Sequence, residues 1–302
     1  MPIIIPKDIP AYNVLQKENI FVMAHKRAQR QDIRPIEIAI LNLMPTKIET
    51  ETQLIRLLSN SPLQVNITLV KVESHRSKNV SQTHLDRFYK SFSEIEHSYF
   101  DGLIVTGAPV ETLPFSEVNY WEELKQILDY AETHVTSTLY ICWGAQAGLY
   151  YHYGLEKQLL AHKIFGVYPH QKLVQFDPLL KGLDDTFFIP HSRHTFVPDE
   201  DINACDELTV LAHSERAGCA IIKSKDNKRI FFTGHSEYDR DTLKNEYLRD
   251  LGKGMQMAPP ENYFTDETCE QVDMKWQSTA NLLFSNWLNY YVYQVTPFRF
   301  DE

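Results

Sequence analysis

Thr138-Leu139-Tyr140-Ile141-Cys142-Trp143-Gly144-Ala145-Gln146-Ala147-Gly148-Leu149-Tyr150 decides the fold of this chain. A short apolar strand runs straight into Cys142 and breaks there into a helix start made of small residues. Such a turn lies at the carboxyl end of a strand, where a parallel sheet carries its reactive groups. Upstream, Ile36-Glu37-Ile38-Ala39-Ile40-Leu41-Asn42-Leu43 reads as a buried strand. Ile48 to Asn60 reads as a helix with Leu54, Leu57 and Leu58 on one face. Strands over 65–72 and 102–105 alternate with helical stretches over 84–96 and 121–132. This is the pattern of βαβ units and a parallel sheet. Downstream the chain is richer in strands, over 172–176, 186–189, 208–212, 219–223 and 229–233, before helices over 241–251 and 275–292. There is no internal repeat and no Gly/Ser linker. The expectation is therefore an N-terminal extension over 1–35, one α/β domain over 36–296 with C-terminal helices, and a tail over 297–302.

Composition narrows the function. In 302 residues, thirty Lys and Arg against forty Asp and Glu leave a formal net charge of −10. A chain this acidic, without a local basic stripe to offset it, is not expected to bind nucleic acid. The basic cluster Lys26, Arg27, Arg30 and Arg34 lies in the proline-punctuated arm and reads as a surface extension over the domain or a neighbouring subunit. No stretch approaches the roughly 18 apolar residues of a membrane span, and the opening Met1-Pro2-Ile3-Ile4-Ile5-Pro6 is too short an apolar run for a signal peptide. Four scattered cysteines without CxxC spacing suit reduced thiols in a cytoplasm. No GxGxxG follows a strand and no P-loop occurs. Of the twelve histidines, His191 and His194 are close together but lack a third ligand at metal spacing, so no metal is expected.

Cys142 carries the chemical argument. Helix N–H groups beside it favour a thiolate and offer, with the Trp143 N–H nearest, a place for a developing oxyanion. Placement alone leaves a buried structural cysteine equally open. A second feature tips the balance, because Arg229-Ile230-Phe231-Phe232-Thr233-Gly234-His235-Ser236-Glu237 sets a histidine just past a late apolar strand, with a carboxylate two residues on. A cysteine nucleophile needs a base, and the base needs a group that fixes its tautomer. Cys142, His235 and Glu237 supply those three roles from separate strand ends.

The elbow Cys142-Trp143-Gly144-Ala145-Gln146 followed by Gly-His-x-Glu resembles the class I glutamine amidotransferase-like (flavodoxin-like) fold. The longer stretches LNLMPTKIETETQLIRLLSNSPLQV (41–65), FDGLIVTGAPVE (100–111), YICWGAQAGLYYHYG (140–154), HKIFGVYPH (162–170), IPHSRHT (189–195) and TGHSEYD (233–239) are similar to the homoserine O-acyltransferases of methionine biosynthesis. That resemblance implies acyl transfer from acyl-CoA, a co-substrate rather than a cofactor, to the hydroxyl of L-homoserine. It implies Cys142 as acyl-thioester nucleophile, His235 as proton acceptor, Glu237 as its orienting group, Lys47 and the Trp143 N–H as oxyanion donors, and Lys163, Ser192 and Arg249 at the substrate. Surface charge for Lys163 and Arg249, and a cap or turn for Ser192, are the alternative readings. Tyr140 stands where amidotransferases usually carry glycine, which counts against glutamine hydrolysis. Ser236 stands where many of these acyltransferases carry proline, a position outside the triad.

Glu111 bears on the donor. In the family a glycine here goes with succinyl-CoA and a glutamate with acetyl-CoA, and a glutamate would set a second anion beside succinate's distal carboxylate. Acetyl-CoA is the expected donor and succinyl-CoA the alternative, with an amidase or a silent binding module behind them. A homodimer is the expected assembly.

Overall fold

The computed structural model describes residues 3–18, 20, 22–23, 34–74 and 80–297. Twelve strands among them form one sheet: β1 (Ile3–Ile4), β2 (Val22–Met23), β3 (Ile36–Leu41), β4 (Val65–Val70), β5 (Tyr89–Lys90), β6 (Phe100–Val105), β7 (Val135–Ile141), β8 (Gln158–Lys172), β9 (Thr186–Phe196), β10 (Leu208–Ser214), β11 (Gly218–Ser224) and β12 (Arg229–Phe232). Their order is β2-β1-β4-β3-β6-β7-β12-β11-β10-β8-β9, with β5 beside β4. From β2 to β12 every pairing is parallel, and from β12 to β9 every pairing is antiparallel. The chain leaves β3 toward β4 and returns on the other side of β3 to make β6. The strand order thus reverses at β3, and the carboxyl ends of β3 and β6 open the crevice such sheets use for ligands.

The parallel strands are covered on both faces, which explains their unbroken apolar runs. Ile38, Ile40, Ile104, Leu139 and Ile141 face one side, against Leu54, Leu57 and Leu58 of α2 (Lys47–Leu58), α8 (Gln277–Asn286) and the π-helical turn Trp287–Tyr293. Ala39, Leu41, Leu103, Val105 and Tyr140 alternate to the other side. There they meet α4 (Trp121–His134) through Leu124, Ile127 and Leu128, and α5 (Trp143–Tyr153) through Ala145, Ala147 and Leu149.

Several elements depart from the expected pattern. The described part of residues 1–35 is joined to the sheet: β1 pairs with β4, β2 pairs with β1, and α1 (Pro10–Lys17) buries Ala11 and Leu15. Arg56 of α2 forks onto Glu18 at 2.6 and 2.7 Å and reaches Asp239 at 2.5 Å. Of the basic cluster, Arg34 pairs with Asp101 at 2.8 Å, while Lys26, Arg27 and Arg30 lie outside the described residues. The helix expected over 84–96 is only α3 (Gln82–Phe88), because Tyr89 turns inward to bond Glu51 at 2.5 Å. Of the strand expected over 172–176 only Lys172 is in a strand, as the last residue of β8, and residues 173–176 bend and turn away. Strand β8 begins at Gln158 and pairs with β9 in a long hairpin whose first residues are largely exposed. Helices α6 (Asp199–Ala204) and α7 (Thr242–Gly252) complete the α-helices among the described residues.

Candidate active site

The geometry starts at the β7–α5 junction. Cys142 has φ 51° and ψ −114°, a left-handed conformation that a side chain rarely adopts, and strain of that kind costs on the order of 1–3 kcal/mol. The ladder holds it there: the Cys142 N–H donates to the Phe232 carbonyl at 2.7 Å, continuing the β7–β12 pairing past its last residue. Gly144 makes the turn possible, since a Cβ there would stand 2.7 Å from the carbonyl oxygens of both Val105 and Thr106. The start of α5 is therefore seated directly on the end of β6. The N–H groups of that first turn, beginning with that of Trp143, have no partner within the helix. The Trp143 indole is fully buried, between Phe115 and Tyr120.

His235 follows β12, the next strand over. Its N–H is tied to the Pro190 carbonyl of β9 at 2.8 Å, its ring stacks on Tyr238 with centroids 4.1 Å apart, and Glu237 Oε1 sits 2.7 Å from Nδ1. Burial disfavours the charged imidazole, but Cys142 and Glu237 on its two sides outweigh that and hold His235 well above its ordinary value. Glu237 Oε2 is buried with no hydrogen-bond partner among the described residues. A carboxylate so poorly solvated draws compensating charge onto the imidazole it touches. Another buried cysteine offers the contrast. Burial and then Asp199 push the Cys219 thiol far up, which leaves it inert.

A cavity of about 540 Å³ opens over these groups, lined among others by Met44, Glu111, Cys142, Lys163, Ser192, His235, Glu246 and Arg249. Its walls come from the segments after β3, β6, β7 and β12, from the first turns of α2, and from β8, β9 and α7. Six residues expected at the site therefore meet on one cavity: Cys142, His235, Glu111, Lys163, Ser192 and Arg249. Glu237 is not in the lining and stands behind His235, on its Nδ1 side. Lys47 does not reach the cavity wall. Its ammonium turns back onto the Asn42 carbonyl, at the base of the Met44–Thr46 loop and 5.4 Å from the centre of the Tyr89 ring. Burial pushes it down to about 8 against the opposing pull of Glu51.

Two residues escaped the sequence reading. Glu246 of α7 accepts from Lys163 Nζ at 2.6 Å and from Ser192 Oγ at 2.7 Å, and lies 3.8 Å from the Arg249 guanidinium. The Glu246-x-x-Arg249 spacing, one helical turn apart, was the available signal. Tyr238 lies within the TGHSEYD stretch, but nothing there announced that its ring would brace His235. Glu111, after β6, has its Oε2 held by the His194 N–H at 2.9 Å and within 3.3 Å of the Thr195 hydroxyl, and its carbonyl accepts from Lys157 at 2.6 Å. The carboxylate is thus fixed against β9 beside the cavity.

Known structures share the fold, and known sequences align along the chain. The fold is similar to a glutamine amidotransferase from Thermotoga maritima, with TM-score 0.55 over 85% of this chain and 98% of that one at 12% identity. It is likewise similar to a glutamine amido transferase from Methylobacillus flagellatus, with TM-score 0.52 over 85% of this chain and 95% of that one at 12% identity. Both likenesses establish the fold alone. Relatives named homoserine O-acetyltransferase align along the whole chain. That of Petrotoga mobilis is 57% identical over 100% of this chain and 98% of its own, and that of Bacillus cytotoxicus is 59% identical over 99% of each. Residues 2–298 match the family described as homoserine O-succinyltransferase, and with two such relatives matched along nearly all their length, the chain belongs to that family.

Proposed function

We propose that this protein is an L-homoserine O-acetyltransferase working through an acetyl-thioester on Cys142. The observation that carries the reading is the strained Cys142 opening into the cavity with the His235–Glu237 pair behind it. The Cys142 sulfur, as thiolate, attacks the acetyl carbonyl of acetyl-CoA. The negative oxygen so formed meets the Trp143 N–H at the positive end of α5, with the Lys47 charge behind the neighbouring loop. The tetrahedral adduct collapses, breaking the bond to the CoA sulfur, and the His235 proton goes to that leaving thiolate. His235, now neutral and kept in one tautomer by Glu237, takes the proton of the homoserine hydroxyl as that oxygen attacks the thioester. The second adduct expels the Cys142 thiolate and O-acetyl-L-homoserine leaves.

On the other side of the cavity, Arg249 and Lys163 suit the homoserine carboxylate and Glu246 suits its ammonium. The donor reading rests on Glu111, whose fixed carboxylate disfavours a second anion at the end of the acyl group, and on the relatives named acetyltransferase. The free cysteines Cys205, Cys219 and Cys269 support a reducing compartment, the cytoplasm. Intact mass after mixing with acetyl-CoA is the test: one acetyl group on Cys142, discharged by homoserine, is expected. Absence of any adduct on the active protein, with intersecting initial-rate lines, excludes the covalent route. A protein acylated faster by succinyl-CoA overturns the donor.

A further inference from the structure

Behind the Met44–Thr46 loop, five buried polar residues form one hydrogen-bonded chain, of which the proposed reaction uses only the Lys47 charge. The Lys47 ammonium donates to the Asn42 carbonyl. Asn42 uses every remaining group: Oδ1 accepts the Met44 N–H at 3.1 Å, and Nδ2 donates to the Lys47 carbonyl at 3.2 Å and to the Tyr89 oxygen at 2.9 Å. Tyr89 in turn donates to Glu51 at 2.5 Å, and Glu51 also accepts from His84 Nε2 at 3.0 and 3.2 Å. Asn42 and Glu51 are 0% exposed. A fully connected network of this kind locks the backbone it binds, whereas a partly broken one is destabilising. Here the locked backbone is the loop whose Met44 packs at the β6 end near Cys142 and lines the cavity.

We propose that Glu51, acting through Tyr89 and Asn42, is a positioning residue that fixes Lys47 and the Met44–Thr46 loop against the reacting centre. The inference rests on the acyl-enzyme reading above and deepens it. Glu51 is the buried counter-charge for Lys47. The groups facing Lys47 are Glu51 from its own helix, Tyr89 from β5 and Lys71 beyond β4, and Lys71 acts against its charge. His84, on α3, faces Glu51 from the far side. Without Glu51 the loop loses its anchor, and the ammonium loses the attraction that opposes its desolvation.

The test is Glu51→Gln, which keeps the shape and removes the charge, with Tyr89→Phe as a second variant that breaks the chain and leaves Glu51 in place. The rate of Cys142 acetylation in a single turnover should fall roughly ten- to hundredfold in Glu51→Gln, the scale of a displacement of about 1 Å at a reacting centre. The homoserine KM should hold within about twofold, since its subsite lies on β8, β9 and α7. The alkaline limb of kcat should move to lower pH in Glu51→Gln and stay nearer the parent's in Tyr89→Phe. If the parent acetylates Cys142 and Glu51→Gln does so at the same rate and with the same pH limb, the positioning role is wrong. A loss matched by a lowered melting temperature and a raised homoserine KM also overturns it, reducing Glu51 to a core residue. A parent that forms no acyl-enzyme removes the underlying reading instead.

Discussion

The two walls of the cavity are built on different principles. One wall is the parallel half of the sheet, where Cys142, His235 and the first turn of α5 sit at strand ends and are placed by backbone pairing and close packing. The other wall is β8, β9 and α7, where Lys163, Ser192, Glu246 and Arg249 are placed by one another's charges, and the Arg249 side chain is 54% exposed. A group fixed by the ladder has one position, which suits bond-making. Groups held by mutual pairing can exchange partners with an incoming zwitterion, which suits recognition. Changes on the first wall should register in kcat and changes on the second in KM.

The largest effect tests the first wall directly. Cys142→Ala should lower transfer about 10,000-fold or more, and adding His235→Ala should cost little beyond that, because groups acting as a unit are not additive. Initial rates on the three proteins decide it, and near-parental activity in Cys142→Ala removes the assignment. Glu237→Gln should cost less in kcat than Cys142→Ala, because it leaves nucleophile and base in place. On the second wall, Arg249→Ala and Glu246→Gln should each raise the homoserine KM roughly tenfold, the size of a lost charge-assisted bond, while the acetyl-CoA KM stays put. A fall in kcat alone would dissolve the distinction between the walls.

Glu111 sits where the walls meet, bonded to β9 but carried by the loop after β6, and its removal should shift a ratio rather than a rate. Glu111→Gly should raise succinyl-CoA use relative to acetyl-CoA by about tenfold in kcat/KM. Glu111→Gln then separates charge from bulk, since it keeps the volume. The smallest effect concerns acid. His170 and His191 stack beneath the second wall with their Nε2 atoms 3.1 Å apart. Burial pushes His170 down to about 3 and His191 well below its ordinary value. Both are neutral in the fold, while the unfolded chain takes up protons near pH 6.5. Their stability contribution is complete above that pH and is lost as pH falls toward 3. Melting temperature should therefore decline from about pH 6.5 downward, ahead of carboxylate titration, with His152, pushed down to about 4 by burial, adding to the decline and the raised His235 opposing it. The pair's share is the part of the slope that His170→Gln removes, and an unchanged slope in that variant would show that the pair does not support the wall.

The same division explains what could be read from the chain. The parallel strands announce themselves as apolar runs because both faces are buried, and the Cys142 turn and the His235–Glu237 pair follow from where those runs end. The β8–β9 hairpin hides because residues 158–162 are mostly exposed and break the alternation. The orientation of Lys47 was illegible for a different reason, since it is set by Asn42, Glu51 and Tyr89, which meet only once α2, β3 and β5 are packed together. Glu246 was likewise invisible without Lys163 and Ser192, 83 and 54 residues away.

The backbone at Cys142 has a consequence for how this protein responds to selection. Position 142 demands a conformation that glycine adopts freely and cysteine does not. Cys142→Gly should melt at a higher temperature than the parent while being inactive, and more so than Cys142→Ala, which keeps the Cβ and therefore the strain. A search for heat-resistant variants that ignores turnover would drift toward glycine at this one site and erase the enzyme while improving the fold. Robustness and chemistry pull in opposite directions on a single residue, and the cysteine survives there only where the reaction itself is under selection.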